Sequence, residues 1–103
     1  MRNYLPAGAD PADPRISPAL RADLANLPAT VLAVAQYDPL RDQGTAYARA
    51  LGATSVPATV HPGLGLIHGC FDMLGVTAAA RDEIDRVVSS VREALAAMDC
   101  RRC

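Results

Sequence analysis

The fold of this chain is decided by one stretch, Ala29-Thr-Val-Leu-Ala-Val-Ala-Gln-Tyr37, which Asp38-Pro39 follows at once. The stretch is apolar nearly throughout and does not alternate, which is typical of a strand buried on both faces of a parallel sheet. Because proline cannot continue the hydrogen-bonded ladder, we expect the strand to end at Tyr37. Asp38 then stands at the carboxyl tip of a buried strand.

The residues after this strand predict a helix and a second strand. We expect the helix over 42–51, with Asp42 as its N-cap and Gly52 as the C′ residue that ends it. We expect the second, short strand over 56–60. A strand–helix–strand crossover of this length makes the two strands parallel and adjacent.

A long amphipathic helix is predicted at the end of the chain. Thr77 is its expected N-cap, and Asp82 and Glu83 lie near the positive end of its dipole. Apolar residues recur at spacings of three and four, which indicates one continuous buried stripe. These residues are Ala80, Ile84, Val87, Val88, Val91, Leu95 and Met98.

The whole chain is thus predicted to be an α/β structure in three parts. Residues 1–28 form a loop-rich lead-in that is broken by prolines, with one short helical turn between Ser17 and Leu24. Residues 29–98 form the strand–helix–strand–helix unit, and residues 99–103 form a tail. Two parallel strands cannot cover a strand that is apolar on both faces, so we expect this unit to be part of a larger sheet.

Composition and charge exclude several classes of protein. The net charge is -1 and the charges are interspersed, so no basic face for nucleic acid is expected. The longest apolar run, 31–35, is far below the roughly 20 residues that a membrane span needs. Without an apolar signal segment, the cytoplasm is the expected location. Cys100 and Cys103 have C-x-x-C spacing but follow a helix, so a redox or metal role stays a weak alternative.

Asp38 and His68 are the candidate catalytic residues. Both follow strands, and the carboxyl ends of parallel strands face one crevice. A carboxylate there can orient an imidazole and stabilise the imidazolium that forms when the base takes a proton. The alternatives are a turn or N-cap role for Asp38 and a solvated surface position for His68. A metal cluster of His61, His68 and Cys70 would lack a fourth ligand, so no cofactor or metal is expected.

Two local motifs carry a family resemblance. Tyr37-Asp-Pro-Leu-Arg-Asp-Gln-Gly44, and then Pro62-Gly63 with Ile67-His-Gly69 before a last amphipathic helix, resemble the C-terminal part of the bacterial hormone-sensitive-lipase-like esterases. The resemblance implies the α/β-hydrolase fold and the hydrolysis of carboxylic esters without a cofactor. It also implies that Asp38 is the acid and His68 the base of a Ser–Asp–His triad, which follow the serine in that order.

The sequence lacks two motifs of this family, and their absence changes the activity that we expect of the chain. It contains no H-G-G-G oxyanion loop and no G-x-S-x-G elbow, and none of its serines (Ser17, Ser55, Ser89, Ser90) is flanked by glycines. We therefore expect a C-terminal fragment that is inactive alone and acts on an ester substrate only when an N-terminal half completes it. The family's H-G-F is His68-Gly69-Cys70 here, after a turn about two residues longer. His68 either still reaches Asp38 or is displaced.

Two non-enzymatic interpretations stay open beside the esterase. One is a relic that keeps the family signatures without activity. The other is an interaction module, or a homo-oligomer, that pairs through the edge strand 56–60, where unpaired backbone groups can recruit another chain.

Overall fold

The computed structural model describes residues 4–102. The elements are β1 (Thr30–Ala33), α1 (Arg41–Ala53), β2 (Ala58–His61) and α2 (Ala78–Arg101), with 3₁₀ turns at Pro18–Leu20 and Cys70–Met73. β1 and β2 pair in parallel, with Thr30 opposite Ala58 and Ala33 opposite His61. The predicted α/β class and strand–helix–strand–helix order are confirmed.

Regular pairing in β1 ends at Ala33, four residues before the end predicted from the sequence. Tyr37 still forms a parallel bridge with Ile67, and its N–H donates to the carbonyl of Leu66 at 3.0 Å. The predicted boundary was wrong because the partner segment 62–66 forms a turn that interrupts the regular ladder, although the carbonyl of Gly63 still accepts the N–H of Gln36. Asp38 nevertheless follows the last paired residue of this strand.

β2 is Ala58–His61, so it begins two residues later and ends one residue later than the predicted strand 56–60. The reason is that Val56 turns into a core cluster with Leu24 and Leu51. Pro57, which has no N–H, takes part only as an acceptor, and its carbonyl binds the N–H of Thr30 at 2.9 Å.

α1 ends in a Schellman motif two residues later than predicted. Ser55, with φ of 63°, is the left-handed residue, and its N–H donates to the carbonyl of Gly52 at 3.1 Å. The N–H of Val56 donates to the carbonyl of Leu51 at 3.1 Å, and the two side chains share one cluster. The prediction that Gly52 ends the helix was therefore wrong, because the apolar contact of Val56 with Leu51 sets the end.

α2 begins after Thr77, the predicted N-cap position, although the Thr77 side chain makes no capping hydrogen bond. The helix continues to Arg101, so residues 99–101 are helical and the predicted irregular tail was wrong there. No glycine or proline interrupts this end, and the positive charge of Arg101 suits the last turn of a helix. Cys100 is exposed and unpaired by any disulfide, whereas Cys103 lies outside the described residues.

Residues 4–28 of the lead-in form no strand or α-helix, and their one helical turn is shorter than predicted. The turn covers Pro18–Leu20, and the predicted span from Ser17 to Leu24 was too long. The Ser17 hydroxyl does not cap the turn; it donates to the carbonyl of Pro11 at 2.7 Å. Leu24 leaves the turn to pack in the core.

Two small clusters form the core. One joins Leu24, Leu51 and Val56 on the α1 side of the sheet. The other joins Ala35, Leu66, Cys70 and Ala80, where α2 begins. Beyond these clusters the apolar surfaces are only partly covered: β1 has no fully buried residue, and from position 88 onward α2 has four large apolar residues that are each at least 41% exposed. These four are Val88, Val91, Leu95 and Met98.

Within residues 4–102, no helix is both long enough and apolar enough to cross a membrane.

Candidate active site

Asp38 is held at the end of β1 by two hydrogen bonds, one to each carboxylate oxygen. Oδ1 accepts the backbone N–H of Leu40 at 2.8 Å, which is the hydrogen bond of an Asx turn. Oδ2 lies 2.8 Å from Nδ1 of His68. The Asp38 side chain is 13% exposed. Because each interaction uses a different oxygen, the turn role and the pairing with His68 coexist.

The same turn determines where α1 begins. Leu40 is the N-cap residue, and Asp42 lies in the first turn, where it forms a surface salt bridge with Arg41 at 2.9 Å. The prediction that Asp42 caps the helix was therefore wrong. Asp38 binds the N–H of Leu40, and the helix begins at the next residue, Arg41. Asp42 is therefore already inside the first turn and cannot be the N-cap residue.

Two hydrogen bonds lower the pKa of Asp38 below its ordinary value. The larger effect comes from the backbone N–H of Leu40, and the next comes from the ring of His68. Both stabilise the carboxylate form, and partial desolvation opposes them. Asp38 is thus a carboxylate in the neutral pH range, as a partner for an imidazolium needs to be.

His68 follows the bridge residue Ile67 and reaches back over the end of β1. Its Nδ1 faces Asp38, while its side chain is 71% exposed. When Nδ1 carries the proton and its N–H donates a hydrogen bond to Asp38, Nε2 is unprotonated and can act as a base. The turn before His68 leaves its ring within reach of Asp38, since the distance of 2.8 Å between Nδ1 and Oδ2 lies within hydrogen-bond range.

The turn that carries His68 is fixed to the end of β1 by backbone and side-chain hydrogen bonds. The carbonyl of Gly63 accepts the N–H of Gln36 at 3.0 Å, and the amide oxygen of Gln36 accepts the N–H of Gly65 at 2.7 Å. Gly63 has φ of 55°, and a Cβ there would lie only 2.2 Å from the carbonyl oxygen of Val34. The close approach of the two segments therefore requires glycine at position 63.

His61, the other histidine, lies apart from this pair. It ends β2, and its Nε2 lies 2.8 Å from the hydroxyl of Ser90 on α2. His61 thus links the sheet to α2. Among residues 4–102, no group of three histidine, cysteine or carboxylate side chains is arranged to hold a metal ion. His61, His68 and Cys70 are thus not brought together as ligands.

An open cavity of about 660 Å³ lies at the other end of the sheet. It is lined by residues before and at the starts of both strands, such as Pro28 and Pro57, and by the second half of α2. Asp38 and His68 follow the strand ends and do not line it. The hydrogen-bonded pair and not the cavity is therefore the candidate site.

The chain belongs to the alpha/beta hydrolase fold family, whose sequence profile matches residues 1–72. This match includes both Asp38 and His68. The resemblance seen in the sequence motifs is thereby confirmed at the level of the family.

The individual relatives are ester hydrolases. The chain is 40% identical to esterase LipI of Mycobacterium tuberculosis over 80 residues, which are 78% of this chain and 25% of LipI. It is 40% identical to an arylesterase of Saccharolobus solfataricus over 66% of this chain and 22% of the relative. Among solved structures, EstE1, a thermophilic carboxylesterase from a metagenomic library, superposes with a TM-score of 0.72 at 38% identity, over 81% of this chain and 28% of EstE1.

The chain thus spans about a quarter of the length of the relatives that it matches. The family profile, over residues 1–72, covers the Asp–His pair and both paired strands.

Glu83 is the residue near the site that sequence reasoning did not recognise. We expected it to lie near the positive end of the α2 dipole, yet it is past the first turn and only 3% exposed. Its signal in the sequence was its spacing, since Glu83 lies three residues after Ala80 and four before Val87, within the apolar stripe. A carboxylate at that position is buried and needs partners.

Proposed function

We propose that this chain supplies the acid and the base of a serine carboxylic ester hydrolase, with Asp38 as the acid and His68 as the base. The observation that supports this most directly is the distance of 2.8 Å between Asp38 Oδ2 and His68 Nδ1 at the carboxyl end of a parallel sheet. The ester hydrolases among the relatives support the substrate class.

In this proposal the nucleophile is a serine outside the 103-residue sequence. His68 Nε2 takes the proton of that serine hydroxyl while the oxygen attacks the ester carbonyl. Asp38 stabilises the imidazolium that results. His68 then donates the proton to the departing alcohol, and a water molecule, activated by the same nitrogen, releases the acid from the acyl-serine.

Two of the chain's four serine hydroxyls are engaged in hydrogen bonds, which agrees with an external nucleophile. The hydroxyl of Ser17 binds the carbonyl of Pro11, and that of Ser90 binds His61. Ser55 is the residue with left-handed backbone conformation that follows the end of α1. We therefore infer that the 103-residue chain alone has no turnover and acts with an N-terminal portion.

The partly covered surfaces support completion by further sheet strands. β1 is apolar but only half-buried, and one of its edges is unpaired among the residues described. We propose that this edge takes the strands of the N-terminal portion. The outer edge of β2, Ala58–His61 in place of the predicted 56–60, would then be free for pairing with a second copy. A cytoplasmic location stays a prediction from the sequence.

A chimera tests the proposal. Residues 1–103 replace the matching quarter of LipI, and the hydrolysis of p-nitrophenyl butyrate is compared with that of the chain alone. We expect turnover by the chimera and none by the isolated chain. Turnover by the isolated chain that His68→Ala abolishes would contradict the proposal, because it would require a nucleophile within these 103 residues. A folded chimera without turnover would also contradict it.

A further inference from the structure

Glu83 connects α2 to the turn that carries His68. Its Oε1 accepts the backbone N–H of Gly63 at 3.1 Å, across 20 residues of sequence. Its Oε2 accepts two hydrogen bonds from Arg86, at 2.9 Å from Nε and 2.6 Å from Nη2. The Glu83 side chain is 5% exposed and that of Arg86 is 60% exposed. Arg86 thus holds one oxygen from the solvent side and leaves the other for Gly63.

Gly63 is the point where three segments meet. It packs against the backbone of Val34 and Ala35, so closely that no Cβ fits. Its carbonyl accepts the N–H of Gln36, and its N–H donates to Glu83. Gln36 is two residues before Asp38, and Gly63 is five residues before His68. A shift of Gly63 therefore changes the position of His68 relative to Asp38.

We infer that Glu83 is a positioning residue for the proposed esterase site, acting through Gly63 to hold the His68 turn against the strand that carries Asp38. The inference rests on the proposed function. Glu83 does not touch the reacting atoms. Glu83 is a buried carboxylate held by Arg86, so water has little access to replace it as the acceptor for the N–H of Gly63. Hydrogen bonds to ionised groups are also stronger than hydrogen bonds between neutral groups.

Kinetics of the chimera test this role. In Glu83→Ala the N–H of Gly63 loses its acceptor, and we expect kcat to fall about 10–100-fold, the cost of a misplacement of roughly 1 Å. KM should change little, because Glu83 does not contact the ester. Glu83→Gln keeps a side-chain oxygen at the same place and should recover much of kcat. Equal kcat in Glu83→Ala and the parent would overturn the inference.

Two control variants separate positioning from stability. Glu93→Ala removes an exposed glutamate of the same helix and should leave kcat and stability unchanged. Leu51→Ala removes a fully buried side chain from the other core cluster and should lower the midpoint temperature of unfolding. At temperatures below that midpoint, its kcat should equal that of the parent. If Leu51→Ala and Glu83→Ala lower kcat equally at equal loss of stability, Glu83 has only a structural role.

A spectroscopic measurement reports on the pair directly. The proton between His68 Nδ1 and Asp38 should give a downfield ¹H resonance that Asp38→Asn removes. We expect Glu83→Ala to weaken or broaden this resonance and Glu83→Gln to restore it; an unchanged resonance would overturn the inference. If His68→Ala leaves turnover intact, the proposed function fails. If His68 is essential and Glu83→Ala is silent, only the positioning role fails.

Discussion

His68 and Asp38 are 30 residues apart in the chain, and the His68 Nδ1 atom lies 2.8 Å from Asp38 Oδ2. The contact joins the ends of two parallel strands, and the intervening residues include all of α1 and β2. A loop between two elements is usually mobile, yet this one is fixed by Gln36, whose N–H donates to the carbonyl of Gly63 and whose amide oxygen accepts the N–H of Gly65. The pair is therefore a consequence of the sheet and of the turn together.

Asp38→Asn in the chimera is expected to lower kcat by about 10⁴-fold, as loss of the acid does in a Ser–His–Asp triad. The asparagine oxygen can still accept the N–H of Leu40, so the turn and the start of α1 should persist. Circular dichroism checks the fold, and ester hydrolysis checks the rate. Asp42→Asn, an exposed carboxylate four residues on, is the matched control and should retain full activity. Near-normal turnover of Asp38→Asn would show that the acid is a different residue.

The titration of Asp38 should occur at a pH below the ordinary aspartate pKa of about 3.9. Because the folded-state pKa is lowered, the carboxylate favours the folded state above the ordinary pKa. That contribution is lost as the pH falls from the ordinary value through the lower, folded-state pKa. The ¹³C chemical shift of the Asp38 carboxyl carbon, followed against pH, measures this pKa.

The His68→Ala variant distinguishes the two causes of this lowered pKa. Since the backbone N–H of Leu40 has the larger effect, we expect most of the lowering to remain without His68. A return of the Asp38 pKa to its ordinary value in His68→Ala would contradict the ranking of the two hydrogen bonds.

Two glycines of the His68 turn provide a matched pair for stability. Both have positive φ, but a Cβ at Gly65 meets nothing within 4 Å, whereas one at Gly63 would lie 2.2 Å from the Val34 carbonyl oxygen. Gly65→Ala should cost about 1–2 kcal/mol, the penalty for a left-handed alanine. Gly63→Ala should cost a further ~1–3 kcal/mol for overpacking. Urea unfolding of the chimera measures both, and equal costs would mean that the close approach at Gly63 is absent.

The isolated chain is expected to self-associate or to lack a cooperative thermal transition. Val88, Val91, Leu95 and Met98 form an apolar stripe that the described part of the chain, residues 4–102, leaves partly exposed. Analytical ultracentrifugation and thermal unfolding measure this. Leu95→Glu should reduce association, whereas Ser89→Glu, an equal charge change at an exposed polar position, should not. A monomer with a sharp unfolding transition would contradict the expectation.

The sequence was informative where a local pattern fixes a position. The apolar strand followed by Asp38-Pro39 indicated the place of Asp38, and glycine-flanked His68 after the second strand indicated a residue at the same sheet edge. Helix ends were less predictable. Gly52 is a good C′ residue in isolation, yet the tertiary contact between Leu51 and Val56 extends α1 past it.

Contacts across many residues could not be deduced from local patterns. Glu83 follows Asp82, and two adjacent acidic residues near the start of a helix are typical of a solvated position. Only the fold brings Glu83 to Gly63. The link from His61 to Ser90 spans 29 residues and joins a strand to a helix face. The spacing of Glu83 within the apolar stripe indicates burial, but in both cases the hydrogen-bond partner follows only from how α2 packs against the sheet and its turn.

The most direct test of the central claim compares the two histidines of the chain in the chimera. His68→Ala removes the ring that faces Asp38, and His61→Ala removes the ring that faces Ser90. We measure p-nitrophenyl butyrate hydrolysis for both variants, with circular dichroism to confirm folding. If His68 is the base, turnover falls by several orders of magnitude in His68→Ala and stays close to the parent value in His61→Ala. Turnover that survives the loss of His68 would contradict the assignment of this pair as the acid and base of an esterase.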